Sequence, residues 1–118
     1  MREIILYALE SGKCPVKDFL DTLTGKQFEK VTFVFDLIET IDRVPKEYFK
    51  KLHGTKNLWE VRVQHGGNIF RFLGFFDDKN IVILDHAFIK KTQKTPKKEI
   101  ALAEQRRQDY FWRKSKKE

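Results

Sequence analysis

The stretch from Trp59 to Ile89 constrains this chain more than any other. Three apolar segments follow one another there, the last two being Ile69 to Phe76 and Ile81 to Ile89. Only His65-Gly66-Gly67-Asn68 and Asp77-Asp78-Lys79-Asn80 part them. Breaks that short cannot hold the crossover of about a dozen residues that parallel strands require, so the three form an antiparallel meander. The first break is a hairpin signal in itself, because glycine reaches positive φ at no steric cost. Along the first strand Trp59, Val61 and Val63 share one face, and Glu60, Arg62 and Gln64 share the other.

The meander has helices on either side of it in the sequence. Glu3 to Glu10 reads as a strand whose two faces are both apolar, which predicts a place inside a sheet rather than at its edge. Pro15 suits the first turn of a helix running through Phe19, Leu20 and Leu23 to Gly25. A second helix is expected from about Lys26 to Ile41, with Phe28, Val31, Phe35 and Ile38 as its core stripe. Asp42 to Tyr48, with Pro45, connects it to the meander. Thr95-Pro96 is expected to cap and open a last helix to about Phe111, with Ile100, Ala103 and Tyr110 on one side. The order β-αα-βββ-α predicts an α+β fold. Its sheet is small and antiparallel-rich, with two helices on one face, a C-terminal helix, and the other face partly open. At 118 residues the expectation is one domain spanning residues 1–118.

Charge is divided unevenly along this order. Residues 1–42 hold five Lys/Arg against eight Asp/Glu, a net −3, and residues 43–118 hold nineteen against nine, a net +10. The strand Ile81–Ile89 runs directly into Lys90-Lys91-Thr92-Gln93-Lys94-Thr95-Pro96-Lys97-Lys98. Cations on a sheet face and at a strand end suit a phosphate backbone, which makes nucleic acid the leading partner. Cys14 is the only cysteine, so no internal disulfide forms, in keeping with a cytoplasmic setting. The first apolar stretch is too short to span a membrane. His53, His65 and His86 are far apart in the chain and no cysteine pair accompanies them, so neither a metal site nor a cofactor is expected.

Three ordered segments, Leu58-Trp59-Glu60-Val61-Arg62, His65-Gly66-Gly67-Asn68-Ile69-Phe70-Arg71 and His86-Ala87-Phe88-Ile89-Lys90-Lys91-Thr92-Gln93-Lys94-Thr95-Pro96, together resemble the RelE/HigB-like toxins of bacterial toxin–antitoxin pairs. The phage-derived HigB-like branch is the more similar. The resemblance implies a RelE-like fold and a ribosome-dependent endoribonuclease that cleaves translated mRNA and so inhibits translation and growth. It also implies a cognate antitoxin, of the helix-turn-helix, HigA-like kind, with operator DNA as a further partner through the toxin–antitoxin complex. Carried over by position, Arg71 matches an arginine that contacts the scissile phosphate, Arg62 a basic strand residue of the same site, and Lys90-Lys91 the basic pair closing the last strand. Glu60 stands where some relatives have lysine. Thr95, Pro96 and Lys97 stand where some relatives carry a tyrosine.

Metal-free cleavage of RNA uses the substrate's 2′-hydroxyl as nucleophile, and needs a base, an acid, and cations for the charge developing on phosphorus. Arg62, Arg71 and Lys91 are the expected charge stabilisers, and Lys91 doubles as an acid. Glu60 and His86 are the candidate bases, with His53 a third. Lys51, Lys90, Lys94, Lys97 and Lys98 are the expected RNA-binding cations. Each has a plainer role open to it: Glu60 as an arginine's ion-pair partner, Arg71 as a buried arginine paired with Asp85 or Glu60, and the lysines as a solvated helix start. Under strict alternation His86 shares a face with Val82, Leu84 and Phe88, which is equally a core position. Two other functions fit the same fold: a ParE-like toxin that binds DNA gyrase without cleaving RNA, and a catalytically inactive nucleic-acid-binding module.

Overall fold

The structure is a computed structural model that describes residues 1–90 and 94–117. It has the expected α+β architecture, built as β1 (Glu3–Leu6), α1 (Pro15–Leu20), α2 (Gly25–Thr40), β2 (Phe49–Lys51), β3 (Trp59–His65), β4 (Asn68–Asp78), β5 (Ile81–Lys90) and α3 (Lys97–Lys117). The five strands form one sheet in the order β1-β5-β4-β3-β2. β2 to β5 are joined antiparallel and β1 lies parallel to β5. The β3–β4 hairpin turns through Gly66, whose φ of 59° is left-handed.

α1 and α2 cover one face. α2 starts on a reciprocal cap, in which Thr24 Oγ1 accepts from the Gln27 amide and Gln27 Oε1 accepts from the Thr24 amide. Its buried stripe is Val31, Val34 and Ile38, packed on Val61, Val63, Phe70, Phe72, Val82 and Leu84. Phe28, an expected core residue, is 44% exposed. The buried contact runs from Val31 to Ile38 and leaves out the first turn, where Phe28 lies.

α3 lies on the opposite face, where it covers much of what the sequence leaves open. Ile100 and Ala103 pack against Leu52, Leu58 and Leu73. Tyr110 and Phe111 pack against Tyr7, Phe75 and Ile83. Tyr7 Oη donates to Asp109 at 2.5 Å and Tyr110 Oη to Asp77 at 2.6 Å, so both phenols leave the core at a polar partner. The helix begins at Lys97 rather than on Thr95, and continues past Phe111 to Lys117.

This two-sided cover corrects the place of β1. It is an edge strand, and among the described residues no strand pairs along its outer side. Ile4 and Leu6 pack toward α2 while Tyr7, just past the strand's end, packs toward α3, so both faces are apolar because helices lie above and below. Arg2 ties the chain start to the end of α2. Its guanidinium donates to the carbonyls of Ile38, Ile41 and Asp42, which the helix end leaves unpaired.

The β4–β5 ladder contains a bulge. Leu73 pairs with His86 and Gly74 with Leu84, leaving Asp85 as the extra residue. Asp85 is fully buried, neither of its carboxylate oxygens has a hydrogen-bond partner among the described residues, and burial pushes its pKa up to about 8. The bulge reverses the alternation beyond it. Val82 and Leu84 face α2, whereas His86, Phe88 and Lys90 face α3 with Leu73 and Arg71. His86 therefore does not share the face of Val82 and Leu84. Gly74 is what permits the local approach of the strands, since a Cβ there would lie 2.0 Å from the Ile83 carbonyl oxygen. Gly74→Ala is expected to cost about 3 kcal/mol or more in urea denaturation, because backbone rather than a movable side chain would have to yield. A loss below about 1 kcal/mol would show that the close approach is not maintained.

Candidate active site

Where α3 leaves the sheet, one strip of its face stays open, and the chain's polar strand residues meet there. Arg62 on β3 and Arg71 on β4 are direct cross-strand partners, as are Lys50 on β2 and Glu60 on β3. Arg71 and Glu60 are 2% and 1% exposed, and Arg71 Nη1 lies 2.6 Å from Glu60 Oε1. Thr95 Oγ1 donates to the other carboxylate oxygen, Glu60 Oε2, at 2.9 Å, and accepts from Lys90 Nζ at 3.3 Å. Glu60, Arg71, Thr95 and Lys90 thus form one chain of contacts joining β3, β4, the end of β5 and the approach to α3. Of the two partners open to Arg71 in the sequence, Glu60 is the one it takes.

Lys90 is 5% exposed. Its pKa is pushed down to about 8, chiefly by burial and then by the neighbouring Arg71 guanidinium, with Glu60 acting in the opposite direction. Arg62 is half-buried and, among the described residues, makes no hydrogen bond or ion pair. Unlike Arg71, it keeps its donors available for a ligand.

A cavity of about 960 Å³ opens at this place, lined on this side of the sheet by Lys50, Glu60, Arg71, Lys90 and Thr95, with Lys51, His53 and Lys94 also in its lining. Of the expected residues, Glu60, Arg71, Lys51, Lys90 and Lys94 are brought together around it, and Arg62 sits beside it on the same face. His86 is not. It lies under α3, with Nε2 3.0 Å from Glu99 Oε1, its ring stacked on Phe88 and the Arg106 guanidinium close to Nδ1. His53 lines the cavity instead. Lys97 and Lys98 stand exposed on the first turn of α3, away from the cavity lining. Lys91 lies outside the described residues.

Two groups in this arrangement carried little signal in the sequence. Lys50 belongs to β2, too short a strand for its alternation to be read. Thr95 has the residue type and position of a helix cap, yet its hydroxyl is turned to Glu60. Among the described residues no cluster of His, Cys, Asp and Glu is placed to hold a metal ion. No helix among them is long and apolar enough to cross a membrane.

Residues 18–108 match the family model described as phage-derived protein Gp49-like (DUF891). No curated protein matches the chain.

The geometry separates the two arginines. Arg71→Ala strands a buried carboxylate and is expected to cost about 3–5 kcal/mol of stability, while Arg62→Ala stays within about 1 kcal/mol of the parent. Chemical denaturation of the two variants checks this, and equal stabilities would mean that the Glu60–Arg71 pair does not hold the site together.

Proposed function

The chain belongs to the Gp49-like family, a family of RelE/HigB-like toxins, and from that premise we propose that it is a metal-independent endoribonuclease cleaving translated mRNA on the ribosome, restrained by a cognate antitoxin. The observation that carries this reading is the open basic strip. A lysine with a lowered pKa and a histidine line one cavity, and Arg62, unpaired among the described residues, stands beside it on the same face of the sheet, over a buried ion pair that joins β3 to β4.

The roles follow from position. His53 takes the proton of the substrate's 2′-hydroxyl as the O2′–P bond forms. Arg62, with Lys50 and Lys94, neutralises the charge that builds on the non-bridging oxygens. Lys90 gives its proton to the departing 5′-oxygen as the P–O5′ bond breaks. The products are a 2′,3′-cyclic phosphate and a 5′-hydroxyl. Glu60 and Arg71 line the cavity but are nearly fully buried and committed to each other. They act as positioning residues, with Thr95 passing the position of Glu60 to the Lys90 ammonium. Lys91 retains the role of charge stabiliser given to it by its place after Lys90.

The test is brief induction in a bacterial host, with transcript 5′ ends mapped and translation blocked beforehand in a parallel culture. New 5′-hydroxyl ends inside translated frames, lost in the blocked culture, are the expected result. Arg62→Ala should lower their formation about 10²–10³-fold. Growth arrest with intact transcripts would move the reading to a gyrase-binding toxin. Intact transcripts together with salt-sensitive RNA affinity would move it to a binding module.

Lys90 adds a pH dependence. An acid with a pKa near 8 is charged and competent below that value and loses its proton above it, so the cleavage rate should fall as pH rises through about 8. Lys90→Arg, which stays protonated, should remove that alkaline limb while lowering the rate throughout. A limb unchanged in Lys90→Arg would assign the acid elsewhere.

A further inference from the structure

The cavity does not end at β2. That edge strand is three residues long, and the same cavity continues past it to the face of the sheet that carries α2, where Phe49, Trp59 and Phe76 line it. These three rings form one wall. Trp59 stacks on Phe49 at 4.8 Å between centroids and meets Phe76 edge-on at 5.2 Å. Phe49 is buried, but Trp59 and Phe76 keep part of their surface open to the cavity. Arg43 and Lys46, both exposed, stand on the rim of this second lobe, with the single acid Asp42 beside them. Arg2 also lines it, but its guanidinium is already committed to the carbonyls at the end of α2 and so builds the wall.

An aromatic wall under a cationic rim is the pairing that single-stranded nucleic acid uses, since each nucleotide brings one flat base and one phosphate. The lobe is continuous with the arginine-bearing one, so a strand whose scissile phosphate lies near Arg62 can pass the short edge of β2 with a neighbouring nucleotide reaching Trp59. We propose that this second lobe is a stacking subsite for a nucleobase flanking the cleaved bond, with Trp59 as the platform and Arg43 and Lys46 holding the adjoining phosphate. The proposal rests on the RNA-cleaving reading above and adds to it a place where the sequence around the cut is read. Stacking tolerates any base and favours those with the larger π-surface, so the preference expected at that position is for purines.

Trp59 provides its own reporter. The chain's other tryptophan, Trp112, is 58% exposed on α3 and lies outside the cavity lining, so Trp112→Phe leaves Trp59 as the only indole. In that background the probes are uncleavable 2′-O-methyl oligoadenylates, one a dinucleotide and one long enough to occupy both lobes. Binding is followed by anisotropy of a terminal dye and, separately, by Trp59 emission. The expected result is that the longer probe quenches Trp59 and the dinucleotide does not. Trp59→Leu, which keeps the wall apolar, should weaken the longer probe about five- to hundred-fold. Arg43→Ala with Lys46→Ala should lower the slope of log affinity against log salt by about 0.7, the value for one phosphate contact on a single strand. Because both rim residues are exposed, that double variant keeps the test valid if Trp59→Leu fails to fold. If the longer probe binds in an Arg62-dependent way while Trp59 emission and the rim variant's affinity do not change, the lobe is empty and the inference is overturned with the RNA reading intact. If neither probe binds, both are overturned.

Discussion

Glu60 and Arg71 are full charges placed inside the face of a sheet, and much of the site's shape follows from the need to keep them together. Taking either group out of water costs several kcal/mol, which only close geometry and further hydrogen bonds offset. The chain supplies both: a contact of 2.6 Å between the charges, and the Thr95 hydroxyl on the second carboxylate oxygen. Because Thr95 also accepts from Lys90, the same contacts fix where β5 ends and how the chain approaches α3. An arginine this committed is a keystone of the site. In the proposed reading the groups that meet the RNA are those around it, with Arg62, across the ladder, foremost among them.

The bulge at Asp85 decides which residues those are. Had β5 alternated without interruption, Lys90 would face α2 with Val82 and Leu84, and the open strip would lack its lysine. One extra residue opposite Gly74 moves His86, Phe88 and Lys90 to the face of Arg71. The residue left over is a buried carboxyl group whose raised pKa keeps it mostly protonated at neutral pH, which is how an acid without a hydrogen-bond partner is tolerated there. His86 is then carried under α3 to Glu99, and the histidine that reaches the cavity is His53 from the loop after β2.

The two sides of the sheet share their work unequally. α1 and α2 bury the larger core, and α3 covers the other face only in part, from Ile100 to Phe111. That partial cover leaves the basic strip open, and the brevity of β2 lets the cavity pass from one face to the other. As an outcome of membership in a family of RelE/HigB-like toxins, an antitoxin partner is expected in general terms.

Period-two alternation and turn residues determined the meander and the β3–β4 hairpin, and apolar residues three and four apart with helix-start signals determined both long helices, because all of these depend on neighbours a few residues apart. The same local signals placed Glu60 and Arg62 on one face of β3, whereas Arg71 joins them there through the register of β3 on β4. Other features were beyond their reach. The edge position of β1 depends on helices covering both of its faces. The choice of Glu60 over Asp85 as the partner of Arg71, the turning of Thr95 from a cap to a bridge, and the exchange of His86 for His53 all depend on contacts between residues distant in sequence. A single bulge reverses every side chain beyond it, and no pattern read along one strand records where its partner slips by a residue. Tertiary structure decided the site, since burial and strand register are properties of pairs of segments and not of either one alone.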